Sequence, residues 1–259
     1  MLLTKDGKKL VAVFGVTNET LTIPDTVETV GERAAAQLSD LKTVQFSQNL
    51  HIIDDGAFAG TGISTLSLPA SLRTLGSYAF EGCPIQSVAL PEGLETIGSR
   101  AFNNYSMQGG EFQSSPGTLT IPASVREIGW SAFAGLNIDK FTVAGGNPFF
   151  SAEGGFLVRT GDQALAAVAP GLTGSVAVPE GVFSIPRGTI SHCEGITELT
   201  LPDSLVTLSD TMPWTLRRLV VGKGLSEWSE RGYLSSNVEV VISADNPNFE
   251  VKDGQVVHR

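Results

Sequence analysis

The residues of this chain that could do chemistry are few and scattered. His51, His192 and His258 are its three histidines, and Cys83 and Cys193 its two cysteines. A metal centre needs such groups at short, regular spacings, and nucleophilic catalysis needs a thiol or hydroxyl beside a base that a third group orients. Only His192 stands beside a cysteine, Cys193. Adjacent residues of a strand or turn diverge, and no orienting acid is apparent near them in the sequence. The HExxH, GxSxG, GxxxxGKS/T, GxGxxG and paired CxxC motifs are absent. Asp245-Asn246 and Asp253-Gly254 lack the ligand order and terminal Glu of a calcium loop and read as turn formers. The expectation is no catalytic residues, no cofactor and no metal site.

Composition narrows the partners. The 259 residues are 41% hydrophobic and 17% charged, which is enough for a packed core, and the formal net charge is −10. Nucleic acid and anionic lipid both require a basic footprint, so both are excluded as expected partners. The first residues, MLLTKDGKKLVAVFG, show no secretory leader, and no stretch is long and apolar enough to insert in a membrane. Asn18 and Asn104 open formal glycosylation sequons, which carry a message only in a eukaryotic secretory host.

The elements that must position any site are repeats. A strand signature ending in Pro recurs as LTIP (21–24), LSLP (66–69), VALP (88–91), LTIP (119–122), VAVP (176–179) and LTLP (199–202). Copies without the Pro are VQF (44–46), FTV (141–143), LVV (219–221) and VVI (240–242). Their last apolar residues are spaced 23, 22, 22, 31, 22, 35, 23, 20 and 21 apart, a period of about 22 with two enlarged units. That is the arithmetic of a solenoid, in which no repeat buries its core alone. Each unit continues with an apolar-x-x-apolar tetrad such as LRTL (72–75) or LETI (94–97), a Gly, and then Ala-Phe, as in Ala57-Phe58, Ala79-Phe80, Ala101-Phe102 and Ala132-Phe133. A second short extended piece and an irregular or short helical turn, plugged by the Phe, are predicted there. Cys83 and Cys193 hold equivalent places four steps apart, about 20 Å at about 4.8 Å per rung, too far for a disulfide. Both read as small buried hydrophobes.

Residues 144–179 contain an inserted hairpin-like module whose parts recur at both ends of the chain. Residues 1–24 align on 156–179 and residues 242–259 on 143–160, with Asn246-Pro247-Asn248-Phe249 matching Asn147-Pro148-Phe149-Phe150. The expectation is one solenoid over 1–259, with 1–24, 143–179 and 242–259 as copies of a variant unit, and the whole an excerpt of a longer array.

The unit LPASLRTLGSYAFEGCPIQSVAL, with its Pro, apolar tetrad, Gly, Ala-Phe and Cys, resembles the BspA-type leucine-rich repeats, and the NPxF module resembles a variant unit of that family. With the repeat count, the expectation is a β-rich leucine-rich-repeat solenoid of about nine turns, right-handed by the general chirality of such crossovers. The resemblance implies a bacterial extracellular or cell-surface location, binding of host extracellular-matrix or cell-surface proteins or glycoproteins, and no catalytic residues to transfer. The motif weakens at 31–41, where Ala35 replaces the Phe, and over 186–240, where Ile190 and Met212-Pro213 stand near its position.

Two features could carry binding. The enlarged unit of 31 contains a polar loop insertion, 103–117, with Tyr105, Met107 and Phe112. Loops of this length on a rigid scaffold often serve recognition, although insertions are also thermodynamically cheap. Strand alternation also points one ladder of residues outward: threonine and serine in the first half, then Lys140, Glu198, Arg218 and Glu239. Trp214 lies nearby, either as part of a binding patch or as a filler for the missing Phe. The leading reading is a non-enzymatic adhesion segment that uses the sheet face and the loop. A structural stalk, or a binding module appended to a secreted enzyme, is the alternative. The oligomeric state is left open.

Overall fold

The computed structural model describes residues 1–16, 19–104, 117–229 and 234–259. Its contacts divide the chain into two compact units, Met1–Ile138 with Thr142–Pro148, and Asp139–Phe141 with Phe149–Arg259. Both are built from short β rungs, about ten turns in all, and no helix occurs among the described residues.

The first unit holds β1 (Leu2–Leu3), β2 (Lys9–Ala12), β3 (Thr20–Thr22), β4 (Thr29–Val30), β5 (Thr43–Gln45), β6 (Ile52–Ile53), β7 (Thr74–Leu75), β8 (Thr96–Ile97), β9 (Gly117–Ile121) and β10 (Glu127–Ile128). Strand β11 (Ile138–Val143) contributes its two ends to this unit. The hairpin β1–β2 is antiparallel; from β2 the order β4, β6, β7, β8, β10 is parallel, each rung in step with the last. This ladder runs through the apolar tetrads, whose Leu72, Leu75, Leu94 and Ile97 are buried. The strand signatures, with and without the Pro, pair among themselves: β3 with β5, and Ser67 bridges Ala89. Thr22 donates to Gln45 Oε1 at 2.9 Å, and the hydroxyls of Thr120 and Thr142 share a hydrogen bond of 2.8 Å.

The Ala-Phe turns are irregular rather than helical, for a physical reason. Alternate N–H groups of each turn donate to carbonyls of the next: Gly56, Phe58 and Gly60 to Ser77, Ala79 and Glu81, then Tyr78, Phe80 and Gly82 to Ser99, Ala101 and Asn103. A donor committed to the neighbouring turn cannot close a helical bond within its own. The residue before each Ala-Phe, or before Ala34-Ala35 in the weakened copy, is left-handed: Arg33 (φ 51°), Gly56 (60°), Tyr78 (58°), Arg100 (55°) and Ser131 (51°). Between turns the phenylalanines form a column, with Phe58–Phe80 and Phe80–Phe102 ring centroids 5.3 and 5.8 Å apart and nearly parallel.

The Gly that follows the tetrad is there for closeness, not for its dihedrals. A Cβ on Gly98 would lie 2.3 Å from Ser77 N and 2.4 Å from Gly76 C; on Gly129 it would lie 2.3 Å from Ser99 N. Both obstacles are backbone, so the rungs themselves would have to separate. Gly98→Ala is therefore expected to cost about 2–3 kcal/mol, read as a lowered urea midpoint. An unchanged midpoint would show that the rung spacing is soft.

The second unit contains β12 (Phe150–Glu153), β13 (Phe156–Arg159), β14 (Leu165–Val168), β15 (Gly174–Ala177), β16 (Ser184–Ile185), β17 (Ile196–Thr200), β18 (Thr207–Leu208), β19 (Arg218–Val221), β20 (Glu227–Trp228), β21 (Glu239–Ile242), β22 (Phe249–Lys252) and β23 (Gln255–His258). Strands β12–β13–β14 form an antiparallel meander and β22–β23 a hairpin. Strands β15–β17–β19–β21 and β16–β18–β20 are two parallel ladders. The asparagine of the NPxF motif ties the hairpin to the preceding turn. Asn246 Nδ2 donates to the carbonyls of Gly222 (2.9 Å) and Leu225 (3.2 Å), while its Oδ1 accepts from the N–H groups of Asn248 and Phe249, both at 2.8 Å. Trp228 packs edge-on against Phe249, their centroids 6.1 Å apart. Cys83 and Cys193 are buried free thiols, and burial raises the pKa of each.

Candidate protein-interaction face

The β15–β17–β19–β21 ladder of the second unit presents one residue in two to solvent. Leu199, Leu219 and Val221 point into the core, while Glu198, Arg218 and Glu239 are exposed and stand in register on consecutive rungs, after Ser175. Arg218 Nη1 lies 3.7 Å from Glu239 Oε2. Both side chains are well solvated, so the pair contributes under about 1 kcal/mol to stability and its charges remain available to a partner. Beside this row run Ala177, Thr200, Val220 and Val241, a small, partly apolar strip in the same register. Trp214 sits in the turn that leads into β19 and is 69% exposed, so it does not fill the space of the missing Phe. Arg217, next to Arg218, caps that turn by donating to the carbonyls of Trp214 (3.4 Å) and Leu216 (3.1 Å).

The structure separates Lys140 from this group. Lys140 is exposed on β11, which is not a strand of the β15–β21 sheet, because the meander β12–β14 comes between them in the chain and forms a sheet of its own. Tyr105, Met107 and Phe112 lie outside the described residues. Of the expected residues the structure therefore brings Glu198, Arg218 and Glu239 together on one sheet face, with the exposed Trp214 in the turn before β19. The face offers alternating charge beside a flat, partly apolar strip, a composition compatible with contact to a protein.

His51 is exposed, and the ring of His258 lies 4.5 Å from that of Phe249. Among the described residues no three His, Cys, Asp or Glu side chains are placed to hold a metal ion. An acid does lie near His192, which sequence reasoning missed: Asp210, 1% exposed. Its carboxylate is consumed by the backbone. Oδ1 accepts from the N–H groups of Gly188 and Thr211, both at 2.9 Å, and Oδ2 from those of Thr189 and Ile190 at 2.6 Å and Ser191 at 3.3 Å. In the first unit such donors find carbonyls of the next turn; here the next step is only 20 residues, and a carboxylate stands in for them. The signal in the sequence was that shortened step, with Asp210 two residues before Met212.

His192 is neutral in the folded protein. Its Nδ1 is buried without a hydrogen-bond partner, and burial pushes its pKa down to about 4, against the opposing pull of the Asp210 carboxylate. An unfolded histidine titrates near 6.5, so as pH falls the unfolded chain takes up the proton first. Stability is then lost between about pH 6.5 and 4 and levels off below. The expected loss from this group between pH 7.5 and 5 is about 2 kcal/mol. His192→Phe should flatten that segment of the stability–pH curve; identical slopes for the two proteins would remove the assignment.

The stacked, parallel-laddered rungs make the chain a leucine-rich-repeat solenoid. The family model described as "BspA type Leucine rich repeat region" matches in six copies over residues 14–118 and 110–151, and the chain belongs to that family. Solved structures share the fold. The pneumococcal vaccine antigen PcpA superposes with a TM-score of 0.67 at 16% identity, covering 93% of this chain and 68% of that one. A leucine-rich repeat protein of Eubacterium ventriosum gives 0.69 at 19% identity, covering 87% of this chain. A leucine rich cell surface protein of Faecalibacterium prausnitzii gives 0.60 at 19% identity, covering 88% of this chain and 74% of that one. The chain spans 60% of the Eubacterium ventriosum chain. No functionally curated protein matches the sequence.

Proposed function

We propose that this chain is a non-enzymatic protein-binding segment of a bacterial surface or secreted protein, engaging host extracellular-matrix or cell-surface proteins through the β15–β21 face. The observation that carries the reading is the in-register row Glu198, Arg218, Glu239 on a parallel ladder, with an exposed Trp214 four residues before Arg218 in the chain. Tryptophan and arginine are the side chains most often responsible for interface energy, and a rigid scaffold spares a partner the cost of ordering them. Two of the structural relatives support the setting: one is a vaccine antigen and another a cell surface protein. No helix among the described residues is long and apolar enough to cross a membrane. Each rung offers only a few weak contacts, so useful strength comes from many displayed copies.

The test is binding of the purified chain to immobilised matrix glycoproteins and mucins at two salt concentrations. Saturable binding is expected, weakened about tenfold or more by Trp214→Ala combined with Arg218→Glu, with the salt dependence reduced as the charge reverses. Binding that survives both changes but is lost when residues 104–116 are replaced by a short Gly-Ser link would move the site to the loop. No binding by the folded chain would leave the spacer reading in its place.

A further inference from the structure

The left-handed column of the first unit contains a filled slot and an empty one. Arg33, Gly56, Tyr78 and Arg100 occupy the same place in successive rungs, joined by N–H donation from each rung to the next: Arg33 to Asp55, Gly56 to Ser77, Tyr78 to Ser99. The filled slot is occupied by Arg100. Its guanidinium carbon lies 4.5 Å from the Trp130 ring centroid and 5.9 Å from that of Tyr78, and Nη1 lies 3.8 Å from Glu81 Oε1. Two rungs back, Gly56 has no side chain of its own to place between Arg33 and Tyr78, and the Arg33 stem borders the space: a Cβ on Gly56 would lie 3.3 Å from Arg33 Cγ. The gap is a groove of about 370 Å3 around Gly56, lined by Glu32, Arg33, Asp55, Ala59, Tyr78 and Glu81. Three carboxylates and one guanidinium line it, so it carries excess negative charge. Asp55 is held in place by the Ser77 N–H, which donates to Oδ1 at 2.7 Å.

We propose that this slot binds the guanidinium of an arginine presented by a partner polypeptide, stacked against Tyr78 and neutralised by Glu32 and Asp55, Glu81 being shared with Arg100. The chain supplies its own precedent: Arg100 makes the same kind of contacts, an aromatic ring and Glu81, in the slot next door. A planar cation suits a gap between two stacked rungs, because it lies flat on a ring and still directs N–H groups to carboxylates at its edge. A lysine ammonium has the charge without the plane, and a neutral urea has the plane without the charge. Neither satisfies both walls. This surface belongs to the other unit from the face proposed above, so the failure of either leaves the other standing.

The experiment titrates the isotopically labelled full chain with Nα-acetyl-arginine methylamide, and with the lysine and citrulline counterparts, following backbone amide shifts. Saturable shifts centred on Gly56 and Tyr78 are expected for arginine, and affinity at least about fivefold lower for lysine and citrulline. Gly56→Arg should fill the slot from within and abolish those shifts. It places a side chain in the backbone conformation that Arg33, Tyr78 and Arg100 already adopt, with its Cβ 3.3 Å from Arg33 Cγ, so the Arg33 stem must shift by a few tenths of an ångström; its melting temperature reports whether the fold survives. Glu32→Gln, an exposed change, should weaken binding about threefold without affecting the fold. Absence of shifts at those amides, an equal response to citrulline, or binding undiminished by both variants would overturn the proposal.

Discussion

Asp210→Ala is expected to lower the stability of the chain by about 3–5 kcal/mol, because it leaves buried backbone donors without an acceptor. Five N–H groups converge on this carboxylate, four of them from residues 188–191 and one from Thr211. Water cannot replace it cheaply, since Asp210 is 1% exposed and Thr189 and Ile190 beside it are also buried. Asp210→Asn keeps Oδ1 but turns an amide NH2 toward the donors that Oδ2 served, so it should cost at least half as much. Chemical denaturation of the three proteins at one pH checks this. A loss below about 1 kcal/mol for the alanine variant would mean that the 188–191 turn finds other acceptors, and the carboxylate would then not be what holds it.

Phe80→Ala should cost a comparable amount, about 3–5 kcal/mol, by a different route. Phe80 is fully buried between Phe58 and Phe102, with centroid distances of 5.3 and 5.8 Å, so removing its ring opens a cavity in the middle of the column. The rungs on either side are tied by backbone hydrogen bonds from Phe58 to Ala79 and from Phe80 to Ala101, which prevent them from closing over the space. Phe80→Leu should recover most of the loss. If Phe80→Ala were nearly neutral in thermal melts, the column would be a by-product of the repeat rather than its core.

These two residues differ in how openly the sequence declared them. Phe80 stands at the same place as Phe58, Phe102 and Phe133 in a period of about 22 residues, and periodic apolar residues in a repeat can only face the shared core. Asp210 has no periodic counterpart. Its role exists because the turn at 186–193 meets a shortened neighbour that offers too few carbonyls, and a deficit of acceptors is a property of two turns in contact. The candidate face was legible in part for the same reason. Glu198, Arg218 and Glu239 follow from strand alternation and register, whereas the meander β12–β14 that sets Lys140 apart is a matter of which strands pair. Trp214 was ambiguous in the sequence because an indole serves equally as core or contact; its 69% exposure removes the first of these.

By itself, then, the sequence determined the solenoid, the residues that fill it and the direction of its outward ladders, since period and alternation are one-dimensional properties that any stacking of the units must respect. Only the tertiary structure decided where backbone donors go, and with that the irregular turns, the left-handed column with its empty place at Gly56, and the carboxylate buried at 210. Hydrogen bonds between rungs join residues roughly one repeat apart, and whether a given N–H finds a carbonyl there depends on the length and conformation of both turns at once.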